Sequence, residues 1–215
     1  MILVLIISLI NSVASSCIEP SINDLDHDNP KLIKYVREKL LEPPPIFPNS
    51  IEEMDLTIEH TSTHDNTSLQ GQYGQAPFLE KLFKPLMDDE NTTKRFFIEA
   101  GSYDGIYGSN TLRLELNPLW SGLLVEPNQD LYKLTRERER NCWTLPSCFS
   151  TRTKPETVKF DAAGQIGGII NEHNERLPGQ SYPGEDRKTV TLQCIPLYSI
   201  LLALGMYSTT NRIIL

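Results

Sequence analysis

Two acids and two glycines stand at spacings that can do chemistry. An apolar run, RFFIEAG, leads into SYDGIYG, so Glu99, Gly101 and Gly105 read E-x-G-x-x-x-G where a strand gives way to a helix. Gly101 can turn the backbone sharply and bring it close to a ligand, while Gly105 can keep the following helix near. Glu126 falls at the end of the next apolar run, GLLVEPN from Gly122 to Asn128. A carboxylate at that strand end can accept hydrogen bonds from both ribose hydroxyls of a nucleoside. The bland alternative is a tight turn plus a surface glutamate in a sheet without a ligand. The spacing is not G-x-G-x-x-G, which makes a nicotinamide dinucleotide the less natural occupant.

Other groups carry less. His60 and His64 in HTSTH are four apart, but Thr61 stands where a zinc-protease motif carries its glutamate, so no metal is expected there. Cys142 and Cys148 lack the partner pair of a zinc site. With Cys17 and Cys194 they are enough for one or two bridges, and Cys194 is expected to join Cys148 or Cys142 unless the thiols stay free and buried. The net charge of -8 excludes a general nucleic-acid or anionic-membrane binder, which needs a clustered basic face. The densest basic run, RERER from Arg136 to Arg140, alternates sign and reads as a solvated helix face.

The elements that must position these groups follow a strand, helix, strand pattern. Ser109 can cap a helix through Leu112 and Leu116 that ends before Pro118. Asn128 or Asp130 can cap another, carrying Leu131 and Leu134 into RERER, and CWTLPSCFS reads as a third strand disturbed by Pro146. The pitch predicts an α/β fold with a parallel sheet and right-handed crossovers. VKF at Val158 to Phe160 and VTLQCIPL from Val190 suggest a hairpin decorating that sheet, around a long polar loop NEHNERLPGQSYPGEDRK. A helical turn from Ser199 to Gly205 precedes NRIIL, which opens another strand.

Upstream, Pro30 suits a first helical turn, Leu32, Ile33, Val36 and Leu40 share one face, and Pro43 to Pro45 stop that helix. Residues 46–75 read as a linker, and Ala76 to Met87 as a helix with Leu79, Leu82, Phe83 and Leu86 on one face. The first sixteen residues, MILVLIISLINSVASS, form an apolar core ending in small side chains, as a secretory signal peptide or a signal anchor does. Sequons at Asn66 and Asn91 suit the same compartment. The expected organisation is a leader at 1–16, an N-terminal helix and linker at 17–75, and a principal domain at 76–215.

FFIEAGSYDG, SNTLRLE, WSGLLVEPN, CFS and QCIPLYSILLALG occur in that order and together resemble the FkbM-type methyltransferase domain, over roughly residues 74–215. SNTL and GLLVEP are similar to the Star-like proteins of the secretory pathway within that family. The resemblance implies a Rossmann-like sheet, S-adenosylmethionine as cofactor, and Glu99, Gly101 and Gly105 at the cofactor loop with Glu126 at the ribose. Asp104 lies beside the methionine part or serves only as a turn residue. It implies methyl transfer to an unknown hydroxyl acceptor or, on the Star-like side, export of a membrane cargo protein from the endoplasmic reticulum, with membrane association possible. No catalytic base announces itself, and alignment of nucleophile and sulfonium can suffice. Family members continue beyond the strand matched by NRIIL into an acidic SLDVEG-like strand. The expectation is therefore a sheet incomplete on its C-terminal side and reduced catalytic competence.

Overall fold

A computed structural model describes residues 21–49, 71–87, 94–164, 167–170, 188–206 and 212–214. The leader at 1–16, Cys17, HTSTH, both sequons and the insertion at 171–187 lie outside the described residues. In chain order the main elements are α1 (Pro30–Tyr35), α2 (Gln75–Met87), β1 (Arg95–Ala100), β2 (Trp120–Val125), α3 (Gln129–Glu137) and β3 (Cys142–Leu145). They continue as β4 (Cys148–Ser150), β5 (Glu156–Asp161), β6 (Gly168–Ile170), β7 (Thr189–Pro196), α4 (Leu197–Ala203) and β8 (Arg212–Ile214).

RFFIEA becomes a strand because its apolar residues are buried on both faces, as parallel sheets require. Phe96 and Ile98 pack with Leu32, Val36, Leu123, Val125 and Ile200 on one face. Phe97 packs with Leu114, Trp120 and Leu124 on the other. The sheet runs β3-β2-β1-β8 with every pair parallel. The protein is thus mixed α/β, and the chain leaves β1 in one direction through β2 and β3 before β8 returns to its opposite side.

Phe97 sits opposite Gly122 in the register. A Cβ at Gly122 would lie 2.1 Å from Cε2 of Phe97, whose ring is fully buried. Gly122→Ala is expected to cost about 1–3 kcal/mol through overpacking. Urea unfolding checks this, and a change below about 0.5 kcal/mol would show that the ring moves aside freely.

The N-terminal segment belongs to the same core. Asn29 caps α1 by accepting from the Lys31 amide at 2.9 Å, and Leu32 and Val36 are completely buried. The helix continues as a π-helical turn at Val36–Leu40. Glu42 then pairs with Thr144 through two backbone bonds of 3.0 Å, which covers the outer edge of β3.

Several sequence expectations are corrected. CWTLPSCFS is two strands in two sheets, because Pro146 has no N–H for the β2 ladder and the chain crosses to β7. Ser147 secures the crossing by donating its hydroxyl to the Gln193 carbonyl at 2.7 Å. The expected hairpin strands β5 and β7 are antiparallel, but they form a separate sheet, β4-β7-β5-β6. The helix after Ser109 is a 3-10 helix, Leu112–Leu116, with Ser109 Oγ accepting from the Leu112 amide at 3.2 Å. Its brevity follows from Leu112 and Leu114 both being buried just before the chain turns into Trp120.

RERER is not a solvated helix face. Helix α3 ends at Glu137, Glu139 adopts φ 52°, and Arg136, Arg138 and Arg140 all turn inward to carboxylates. The glutamates of the run are exposed, Arg136 and Arg138 are half-buried, and Arg140 is buried. The buried residues of α3 are Tyr132 and Thr135, while Leu134 is exposed. On α2, Leu82 is likewise exposed, and Phe83 packs against Trp120.

Candidate functional site

The C-terminal ends of β1 and β2 lie side by side, since Ala100 pairs with Val125. The next residues in each chain segment, Gly101 and Glu126, therefore start from neighbouring tips. Gly101 takes φ 78°, a left-handed conformation that favours glycine, and its amide donates to the Val125 carbonyl at 2.8 Å. A Cβ built there would meet nothing within 4 Å, so the bend presents bare backbone to open space. Gly105 closes the turn by donating to the Ser102 carbonyl at 2.7 Å, with φ 86°. Its α-carbon faces Thr135 of α3, and a Cβ there would stand 3.3 Å from Thr135 Cα. The two glycines have different tasks: Gly101 bares the backbone, and Gly105 admits the helix.

Tyr103 stands between them at φ 55°, a conformation uncommon for a bulky residue. Two hydrogen bonds and a ring contact hold it there. Its amide donates to Glu126 Oε2 at 2.8 Å, its carbonyl accepts from Thr135 Oγ1 at 2.8 Å, and its ring packs against that of Tyr107. Asp104 Oδ1 accepts from the amides of Ile106 and Tyr107 at 2.9 and 2.7 Å, and Oδ2 binds Arg138 at 2.9 Å. Glu99 accepts from the Ser109 hydroxyl at 2.8 Å, the Asn110 amide at 2.8 Å and the Thr111 hydroxyl at 2.6 Å. Both acids fasten the loop.

Arg140 lies beneath the loop, which no sequence signal distinguished from its exposed neighbours. Its guanidinium donates to the Gly105 carbonyl at 2.6 Å, to Ser109 Oγ and Thr111 Oγ1 at 3.1 Å each, and to Glu115 Oε1 from Nε at 2.8 Å. Glu99 stands 3.5 Å away. These carboxylates hold the guanidinium charged against its burial, so its pKa lies above the ordinary arginine range. The buried Cys142 thiol, hydrogen-bonded to Glu115, is pushed up by burial and by that carboxylate.

Glu126 and Gly101 line one cleft of about 320 Å³. Its far wall comes from the second sheet, chiefly Cys148 and Phe149 of β4, Phe160 of β5 and Ile169 of β6. Among the described residues, Glu126 is the one charged group lining it. Oε1 accepts from the Asn128 amide at 2.8 Å and Oε2 from Tyr103, which leaves each oxygen a second lone pair. Of the five sequence-predicted residues, Gly101 and Glu126 meet at the cleft, while Glu99, Asp104 and Gly105 build the loop that forms its rim. Phe149 and Phe160 join the cleft without having been anticipated, because their elements come from a different sheet.

Burial raises the Glu126 pKa from 4.5 to about 6 against the opposing backbone donors of Asn128 and Tyr103. The folded state therefore keeps a proton that the unfolded chain releases first. Stability contributed by this group is present below pH 4.5 and is lost as pH rises to about 6, by roughly 2 kcal/mol. Glu126→Ala removes that slope. Urea unfolding of both proteins at pH 4.5 and 6.5 checks it, and parallel pH profiles would refute it.

No helix among the described residues is long and apolar enough to cross a membrane. No family model, curated protein or solved structure matches the chain.

Proposed function

We propose that this protein binds S-adenosylmethionine as a methyltransferase-like protein of FkbM type in the secretory pathway, with O-methyl transfer to a hydroxyl acceptor as its reaction. The observation that carries this reading is the meeting of bare Gly101 backbone and the Glu126 carboxylate on one cleft at neighbouring strand ends. The order β3-β2-β1-β8 reverses direction at β1, and in open Rossmann-like sheets ligands sit beyond the carboxyl ends of strands at that point. The free lone pairs of Glu126 suit a ribose diol. Its negative charge and the absence of a lining cation among the described residues favour a sulfonium-bearing nucleoside over a phosphate-bearing one. The Cys148–Cys194 disulfide supports an oxidising compartment.

In this reading the cofactor supplies an electrophilic methyl group. The protein's own residues bind and orient: Gly101 admits the ligand to the backbone, Glu126 grips the ribose, and the aromatic wall excludes water. A Star-like role in cargo export is favoured by a different observation, the apolar surface at Tyr73, Phe78 and Leu82, which are 93%, 65% and 55% exposed.

Titration calorimetry with S-adenosylhomocysteine tests the first reading. Binding is expected, with Glu126→Ala weakening it by about 10- to 100-fold because the ribose hydroxyls lose charged acceptors. A folded protein that gives no heat, or a variant that binds as tightly as the parent, would overturn it.

A further inference from the structure

We propose that the Cys148–Cys194 disulfide is a redox clamp on the cleft: oxidised, it holds the β4 wall in place; reduced, it releases that wall and weakens ligand binding. The effect on the ligand rests on the nucleoside-binding reading above, whereas the release of the wall stands independently of it.

Three observations converge. Cys148 begins β4 and lines the cleft beside Phe149. Strand β4 is an edge strand of three residues whose ladder partner among the described residues is β7 alone. Its anchor, Cys194, is wholly buried in β7, which lies between β4 and β5. Apart from the ladder and the disulfide, the start of β4 is tied to β7 by the Ser147 hydroxyl on the Gln193 carbonyl, and its end to β5 by the Ser150 hydroxyl on Glu156 at 2.9 Å. So short an edge strand belongs to the low-stability end of a fold.

The chemistry is a two-electron exchange. A thiolate of a dithiol reductant attacks Cys148 Sγ, the sulfur of the cleft-lining residue, and Cys194 leaves as a thiolate that takes a proton. The reductant's second thiol then displaces Cys148 from the mixed disulfide, giving two protein thiols and one oxidised dithiol. Two sulfurs bonded at about 2 Å must then separate to a non-bonded contact of about 3.5 Å or more. They do so in a cluster with Phe160 and Leu192 that is open to the cleft on the Cys148 side. Cys194 sits in β7, which is laddered to β5 through six residue pairs, so the displacement falls on β4 and draws Phe149 from its packing against the main core. Coupling is reciprocal: a ligand that needs the closed wall favours the oxidised form and shields Cys148 from attack.

Hydrogen exchange of the full chain, oxidised against dithiothreitol-reduced, tests the clamp directly. Reduction also lowers global stability, so protection falls throughout, and amides at 147–150 are expected to gain about tenfold more exchange than those of β1 and β2. Unchanged exchange overturns the proposal, and so does an equal rise across β1 and β2, which would make the bridge a global stabiliser only. Calorimetry with S-adenosylhomocysteine should show about tenfold weaker binding to the reduced protein and to the Cys148→Ser, Cys194→Ser double variant, and bound ligand should slow reduction to a similar degree. Equal affinity for both forms also overturns it. If the oxidised protein takes up no S-adenosylhomocysteine, the methyl-donor reading fails, and the exchange comparison still decides whether the wall is clamped.

Discussion

Arg140→Met lowers the free energy of unfolding by about 3–5 kcal/mol, the usual consequence of removing one partner from a buried ion cluster. The Arg140 and Glu115 side chains are 1% and 4% exposed, so little solvent replaces the lost bonds. Methionine fills similar volume, which keeps a cavity from being the cause. What remains is a Glu115 carboxylate facing the Cys142 thiol, a Glu99 carboxylate short of its ion pair, and a Gly105 carbonyl without its donor. The guanidinium also lies 5.9 Å over the Phe97 ring, a contact that methionine replaces only in part. Arg138→Met is the control, because that side chain is 25% exposed and its pair with Asp104 is worth about 1 kcal/mol or less. Arg140→Met with Glu115→Met should be less destabilised than the two single effects summed, by about 1–3 kcal/mol. Urea midpoints decide the matter. A loss below 1 kcal/mol for Arg140→Met would mean that the loop stands without its cation.

The second large effect is covalent. Cys148 and Cys194 are 46 residues apart in sequence, and closing a loop of that size in the unfolded chain stabilises the native state by about 4 kcal/mol in the chain-entropy treatment. Replacing both by serine, or reducing the bridge, should lower stability by about 3–4 kcal/mol at neutral pH. Oxidised and reduced protein unfolded in urea give the comparison. A difference under about 1 kcal/mol would show that the reduced chain keeps these segments together on its own. The bridge also settles an open choice. Cys194 could have met Cys148 or Cys142 by sequence, but β7 pairs with β4, placing Cys194 opposite Cys148 in register. Cys142 starts β3 in the other sheet and remains a buried thiol.

The parts of this protein legible from sequence were those encoded locally. Apolar runs in RFFIEA and in the stretch ending GLLV marked two strands of the parallel sheet, and Ser109 and Asn128 marked side chains that accept from helix-start amides. Gly101 and Glu126 were legible as a pair, because a parallel crossover sets consecutive strand ends beside each other whatever the rest of the fold does. The sheet to which each later strand belongs was not legible. Pro146 announced a disturbance, but only the competition between the β2 edge and β7 sent CFS to a second sheet, and with it the aromatic wall of the cleft.

Polar partners were equally hidden. Glu99 and Asp104 have the residue types of ligand-binding acids, and RERER has the alternation of a solvated surface. In three dimensions the arginines of that run meet those acids beneath the loop, since a buried carboxylate is tolerable only where a donor can reach it. Sequence spacing determines which residues share a strand tip or a helix face. It cannot determine which distant charge a carboxylate will meet, because that pairing is set by desolvation once the chain has closed around it.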